Sequence, residues 1–319
     1  DFLKIITNQD KKEFIQLIDK RSYYIDIIES DNSDSPYYRY CLADVYFQWA
    51  VARLVFVKDI MNFTEGFKAA LELKKSYSII EKNYEKYPEF YPNLKLLGLM
   101  HAMQETIPEN YRKIVQSISF SGSYEKGIKE LSLLLEKSIN DKNIDFIYPE
   151  ALFIITFIEI NLQTDKQKVN YLKKYFDNNK LFPEKNENVV LIYCKARYLI
   201  FTGQTDNAIQ LLENYTKENK GAYLAFLDYL LGKIKLQRLD KDAIMPFYNY
   251  LLKYKGLHYI KSTYQLISWY YLINNNYDKF IENQNNILKY GITLSETDKQ
   301  AEREAKKNEH PNIQLLKAR

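Results

Sequence analysis

Gly221, Gly256 and Gly291 stand 35 residues apart in the last third of the chain. Glycine is scarce in this protein, with nine copies beside eight prolines in 319 residues. That is less than half of the roughly 12% the two supply in average usage. A rare breaker recurring at a fixed interval marks the joints of a repeated unit, and the lack of breakers elsewhere favours helices over a turn-rich β fold.

The blocks between the joints share one plan. In "AYLAFLDYLLGKIKLQRLDKDAIMPFYNYLLKY" (222–254), apolar residues three and four apart predict two helices, with "RLDKDA" as the turn. Gly232 sits where the two would cross, and Pro246 falls within or just beyond the first turn of the second helix, where a missing N–H costs least. "YIKSTYQLISWYYLINNNYDKFIENQNNILKYG" (259–291) repeats the plan with small Ser268 and the turn "NNNYDKF". In "CKARYLIFTGQTDNAIQLLENY" (194–215), Gly203 breaks the helix, Thr205 or Asp206 can cap the next, and Ala196 and Ala208 supply small surfaces at a crossing.

The spacing of Ala196, Leu199, Gly203, Ala208 and Leu212 resembles the tetratricopeptide repeat, a 34-residue helix–turn–helix unit. Lys195 and Tyr215 depart from it, since the family favours Leu and Ala there. The resemblance implies an all-α fold, a right-handed α-solenoid of about seven stacked antiparallel helix pairs. Residues 1–180 form its irregular half, and residues 181–319 carry the regular repeats, the last incomplete. "YFQWAVARLVF", "LKLLGLMHAM", "FSGSYEKGIKEL" and "KGLHYIKSTYQLISWYYL" are further similar to a group of exported bacterial tetratricopeptide proteins. "SFSGSYEKGIKEL" is also similar to eukaryotic repeat proteins linked to inclusion-body clearance and the outer mitochondrial membrane. None of these brings catalytic residues.

Helices are expected upstream as well. They cover 10–29, 36–60 with Ser35 as cap, 63–88 ended by Pro88, 91–108, 109–120, 123–139, 148–162 and 166–179. The mixed charge run "ETDKQAEREAKKNEH" (296–310) predicts a solvated helix with ion pairs such as Glu302–Lys306. "NIQLLKAR" (312–319) reads as the opening of another first helix, so that the native chain continues.

The 45 basic and 41 acidic residues leave a net charge of +4 and are mixed along the chain. Nucleic acid binding, which needs clustered Lys and Arg, is therefore disfavoured. The longest apolar run, "ALFIITFI" (151–158), is far shorter than the ~20 residues of a membrane span. Cys41 and Cys194 lie within apolar, Tyr-rich segments and are assigned to the core. The chain opens at Asp1 on "DFLKII", as after a removed leader or within a longer protein.

Catalytic and ligand motifs are thin. His101 and Glu105, four apart, form half of a metal site with no second half, so a hydrogen-bonded structural pair is expected. Gly122 in "FSGSYEKG" precedes a helix start, but the stretch lacks the Lys-Ser/Thr ending of a phosphate loop and is assigned to a turn capped by Ser123. No catalytic residue, cofactor or metal is assigned.

The family's concave wall comes mainly from each first helix. Carried over to this sequence, it takes Tyr193 and Arg197, Tyr229 and Lys233, and Gln265 and Trp269. An aromatic ring beside a cation or amide suits an extended peptide, giving area at low entropic cost and a polar group for its carbonyls. The competing assignment packs Trp269 and the tyrosines between repeats. The resemblance thus implies a non-enzymatic scaffold for a partner protein or peptide, placed in a bacterial envelope assembly or periplasm. The alternatives are a peptide-sensing regulator and a cytoplasmic setting. Membrane association would come through a partner or a preceding lipid anchor.

Overall fold

The computed structural model describes residues 9, 11–56, 63–104, 122–178, 188–218, 224–293, 295–307 and 311–318. Among them are fifteen α-helices and no strand, and neighbouring helices pack in pairs. The chain divides into two compact units, one of residues 11–201 and one of residues 202–318 with Gln9. The expected helix 109–120, Gly221 and Glu105 lie outside the described residues.

The first unit holds α1 (Lys11–Glu29), α2 (Pro36–Phe56), α3 (Phe63–Lys86), α4 (Asn93–Met103), α5 (Tyr124–Asn140), α6 (Tyr148–Leu162), α7 (Lys173–Phe176) and α8 (Val189–Phe201). Ser35 Oγ accepts the Tyr37 N–H at 3.2 Å, so α2 starts at Pro36 as its cap predicts. Three contacts fix the direction of α3 against α2. Asn83 Nδ2 donates to the Pro36 carbonyl (2.8 Å), Ser76 Oγ to that of Ala43 (2.7 Å), and Arg53 pairs with Glu72 (3.0 Å). As one number rises the other falls, so the helices are antiparallel. Ala43, Ala50 and Ala69 are buried along this pair and keep the approach short.

α4 and α5 are pressed closer still. A Cβ on Gly127 would stand 2.4 Å from the Ala102 nitrogen and the Gly98 carbonyl oxygen. Only glycine fits that crossing. Buried Lys95 of α4 then ties three helices, with Asp44 of α2 and Glu150 of α6 each 2.8 Å away. α6 packs on α4, α5 and α8, as befits a helix apolar nearly all round.

The stretch 166–179 departs from the expected α-helix. Residues Lys166–Leu172 form a 3₁₀ helix, and only Lys173–Phe176 is α. Val169, Leu172 and Tyr175 are all buried. Val169 and Leu172, three apart, line up on one edge of the three-residue turn, and Tyr175 continues that edge into the short α-helix.

The second unit holds α9 (Thr205–Glu218), α10 (Phe226–Gln237), α11 (Ile244–Lys253), α12 (Ile260–Ile273), α13 (Tyr277–Lys289), α14 (Glu296–Lys307) and α15 (Ile313–Ala318). From α9 to α14 each helix packs on the next, and α10, α12 and α14 also pack in succession. Phe247 of α11 is fully buried, and its ring lies 2.8 Å from where a Gly232 Cβ would be. Burying such a ring contributes about 2 kcal/mol, which a larger residue at 232 would forfeit. Ser268 does the same for α12 and α13, accepting a bond from Gln284 Nε2 at 2.9 Å.

Gly203 and Gly291 have φ of +81° and +76°, the left-handed conformation that ends a helix. Gly256 does another job, because a Cβ there would strike Gln9 and the Tyr254 hydroxyl. Gly256 and Gly291 therefore share a register and not a mechanism.

α14 corrects the picture of a solvated helix. The Lys306–Glu302 pair forms at 2.6 Å, but Asp298, Ala301 and Ala305 are buried, and α14 packs on α12 and α13. No described helix is long and apolar enough to cross a membrane.

Candidate protein-binding face

The site is built on α10 and α12. Lys233, Leu236 and Gln237 share one face of α10, and Leu266, Trp269 and Ile273 share one face of α12, each set at same-face helical spacing. With Leu316 of α15, these two faces line a cavity of about 140 Å³. An apolar cavity near that size, ~150 Å³, accommodates a benzene-sized group, so one large side chain fits.

Both helices are held from their other sides. Lys235, two residues from Lys233 and turned away from it, is buried between Glu213 of α9 and Asp242, the latter at 2.5 Å. Hydrogen bonding to Lys235 holds the Asp242 carboxyl below the usual carboxylate range. On α12, Lys261 Nζ donates to the Ile287 carbonyl (2.7 Å) and pairs with Glu302 (3.0 Å), while Gln265 Nε2 donates to Glu304 (2.6 Å). Hydrogen bonds from Lys306 and then Lys261 keep the Glu302 carboxyl low as well. These polar pins fix the first turns of α12 against α13 and α14 and leave Trp269, one turn beyond Gln265, to form the cavity wall.

The six residues from the family pattern are placed unequally. Lys233 is exposed, Trp269 is half-buried, and both line the cavity. Tyr229 is buried, its ring centroid 5.3 Å from that of Tyr259 and 5.6 Å from that of Tyr250, so its area goes into packing. Gln265 is buried against Glu304. In the first unit Tyr193 and Arg197 are half-exposed on α8, and the Tyr193 ring lies 5.8 Å from Phe153. No family model, curated protein or solved structure matches this chain.

The residues singled out for other chemistry fall into packing roles. His101 is buried, with Nδ1 2.6 Å from Glu130 Oε2 and Nε2 3.2 Å from the Tyr77 hydroxyl, which joins α3, α4 and α5. Its carboxylate partner is thus on the next helix. Ser123 Oγ accepts the Lys126 N–H at 3.2 Å, capping α5 as the sequence predicts, and the Gly122 N–H is taken by Gln104 Oε1 at 2.8 Å. Cys41 and Cys194 are free thiols, Cys194 fully buried. Among the described residues no cluster of three or more His, Cys, Asp and Glu could hold a metal ion.

Sequence reasoning missed Asp298 and Leu316. For Asp298 a signal existed, since Asp298, Ala301 and Ala305 form a small-residue stripe inside the charge run. Nothing local marks Leu316, because the chain returns it to α12 from beyond α14.

Proposed function

We propose that this protein is a non-enzymatic scaffold that holds a partner polypeptide against the α10–α12 face. Lys233 and Trp269, one repeat apart in sequence, line the same cavity, and this observation carries the reading. The ring and the apolar walls give a buried anchor point, and the lysine and Gln237 supply a polar rim for backbone carbonyls or a carboxylate. The succession α10, α12, α14 supports a tetratricopeptide-like right-handed stack with this face on its concave side. The resemblance to exported bacterial repeat proteins points to an envelope assembly as the setting.

Co-purification from the native cell tests the proposal. A partner captured by the wild type should be lost with Lys233→Glu and with Trp269→Ala, and kept with Lys241→Glu, an exposed lysine outside the cavity lining. Equal capture by all four proteins would move the binding face elsewhere.

A further inference from the structure

α15 carries the sequence IQLLKA, packs on α12, and sends Leu316 into the wall of the cavity formed with Lys233, Leu236, Gln237, Leu266, Trp269 and Ile273. Its attachment is slight. The helix has six residues, none of them buried, and Leu315 is 65% exposed. A helix this short does not persist in water on its own, so its conformation depends on the surface beneath it. That surface is apolar at its centre, and Leu316 covers part of it.

We infer that α15 is a displaceable internal occupant of the partner face. The segment that the face takes from a partner is then a short helix presenting a leucine-sized side chain to the same cavity. This inference rests on the proposed binding face and adds two things: the class of ligand, and a competitor carried within the chain. Leu316 shows the chemistry the walls accept. The weak seating shows why it can leave. A tether of a few residues holds α15 at roughly millimolar effective concentration, enough to shield the walls in the absence of a partner and to yield to a tighter segment.

The 319-residue sequence has two tryptophans, Trp49 in the first unit and Trp269 in the cavity wall. In the Leu316→Glu variant of residues 1–319, tryptophan emission should shift to the red and acrylamide quenching should rise, and both changes should vanish when Trp269→Phe is added. A synthetic peptide of residues 311–318, PNIQLLKA, added to Leu316→Glu should reverse the shift. The same peptide carrying Leu316→Glu should not, and the wild-type chain should resist both. Emission that is unmoved in Leu316→Glu, or a shift that millimolar peptide does not reverse, overturns the inference. So does a dimeric wild type that Leu316→Glu dissociates, because α15 would then seat on a second copy. A melting curve equal to wild type verifies that the variant is folded. The outcome is separable from that of the co-purification. Emission reports α15 alone, so it can fail while Lys233→Glu still loses the partner, and the reverse can also occur.

Discussion

Asp298 caps a helix that is not its own. Its Oδ1 accepts the N–H of Ser262 at 2.9 Å, and its Oδ2 accepts that of Tyr259 at 2.7 Å, so a residue in the first turn of α14 satisfies the start of α12. Tyr259 needs the help. It has φ of +58°, a conformation costing ~1–2 kcal/mol for a residue with a Cβ, and its own side chain makes no cap bond. Asp298 is fully buried, so water cannot replace it.

Asp298→Ala should therefore destabilise the second unit by about 2 kcal/mol or more, the cost of a lost cap plus two N–H groups without acceptors. Asp298→Asn, keeping one acceptor oxygen, should cost less. Urea denaturation followed by far-UV circular dichroism measures both. A change within experimental error for Asp298→Ala would refute the cap.

Gly127→Ala reverses the usual sign of a substitution inside a helix. Replacing a helical glycine by alanine ordinarily stabilises by about 0.5–1 kcal/mol. At Gly127 the added carbon would meet the backbone of α4 at 2.4 Å, and backbone does not yield as a flexible side chain does. A loss of ~1–3 kcal/mol is expected from forcing the crossing apart. The mid-point of thermal unfolding should fall, and a rise would show that α4 and α5 separate at little cost.

The two thiols should report on the first unit separately. Burial raises the Cys194 thiol far above its ordinary range, and raises Cys41 too, with Asp44 adding to the shift. With Ellman's reagent in native buffer, Cys41 should react slowly and Cys194 only as the unit opens. Added denaturant should release the second thiol in step with the loss of helix. Prompt reaction of both in native buffer would contradict the packing of α8 on α6.

Helix starts were legible at Ser35–Pro36 and at Ser123, because those signals act within one turn. The 3₁₀ stretch from Lys166 was not, since a spacing of three fits either helix type until neighbours choose. Within the site, Tyr229 and Lys233 lie one turn apart on α10, as do Gln265 and Trp269 on α12. The family pattern carried over to this sequence placed all four on one wall. Their exposure differs because aromatic rings cover the first end of the α10 stripe and Glu304 of α14 covers that of α12. Depth along a helix is decided by what packs over it, and that information lies elsewhere in the chain.

Asp228 gives the second unit a pH dependence of unusual sign. The residue is buried in the first turn of α10, its Oδ2 has no hydrogen-bond partner, and burial lifts its pKa to about 6 against the pull of Lys253. An unfolded aspartate titrates near 3.9, so between about pH 6 and pH 4 the folded state binds a proton that the unfolded state does not. Stability contributed by this group rises as pH falls through that window and is flat outside it. The folded protein thus bears a cost above pH 6 on the order of 1–3 kcal/mol. Asp228→Asn removes the charge and keeps the shape. It should stabilise the unit at pH 7 by a similar amount and abolish the gain between pH 6 and pH 4. Urea titrations at pH 4.5 and pH 7.5 on both proteins measure the difference. If the wild type gains nothing over the variant on acidification, the Asp228 carboxylate has a partner in solution after all.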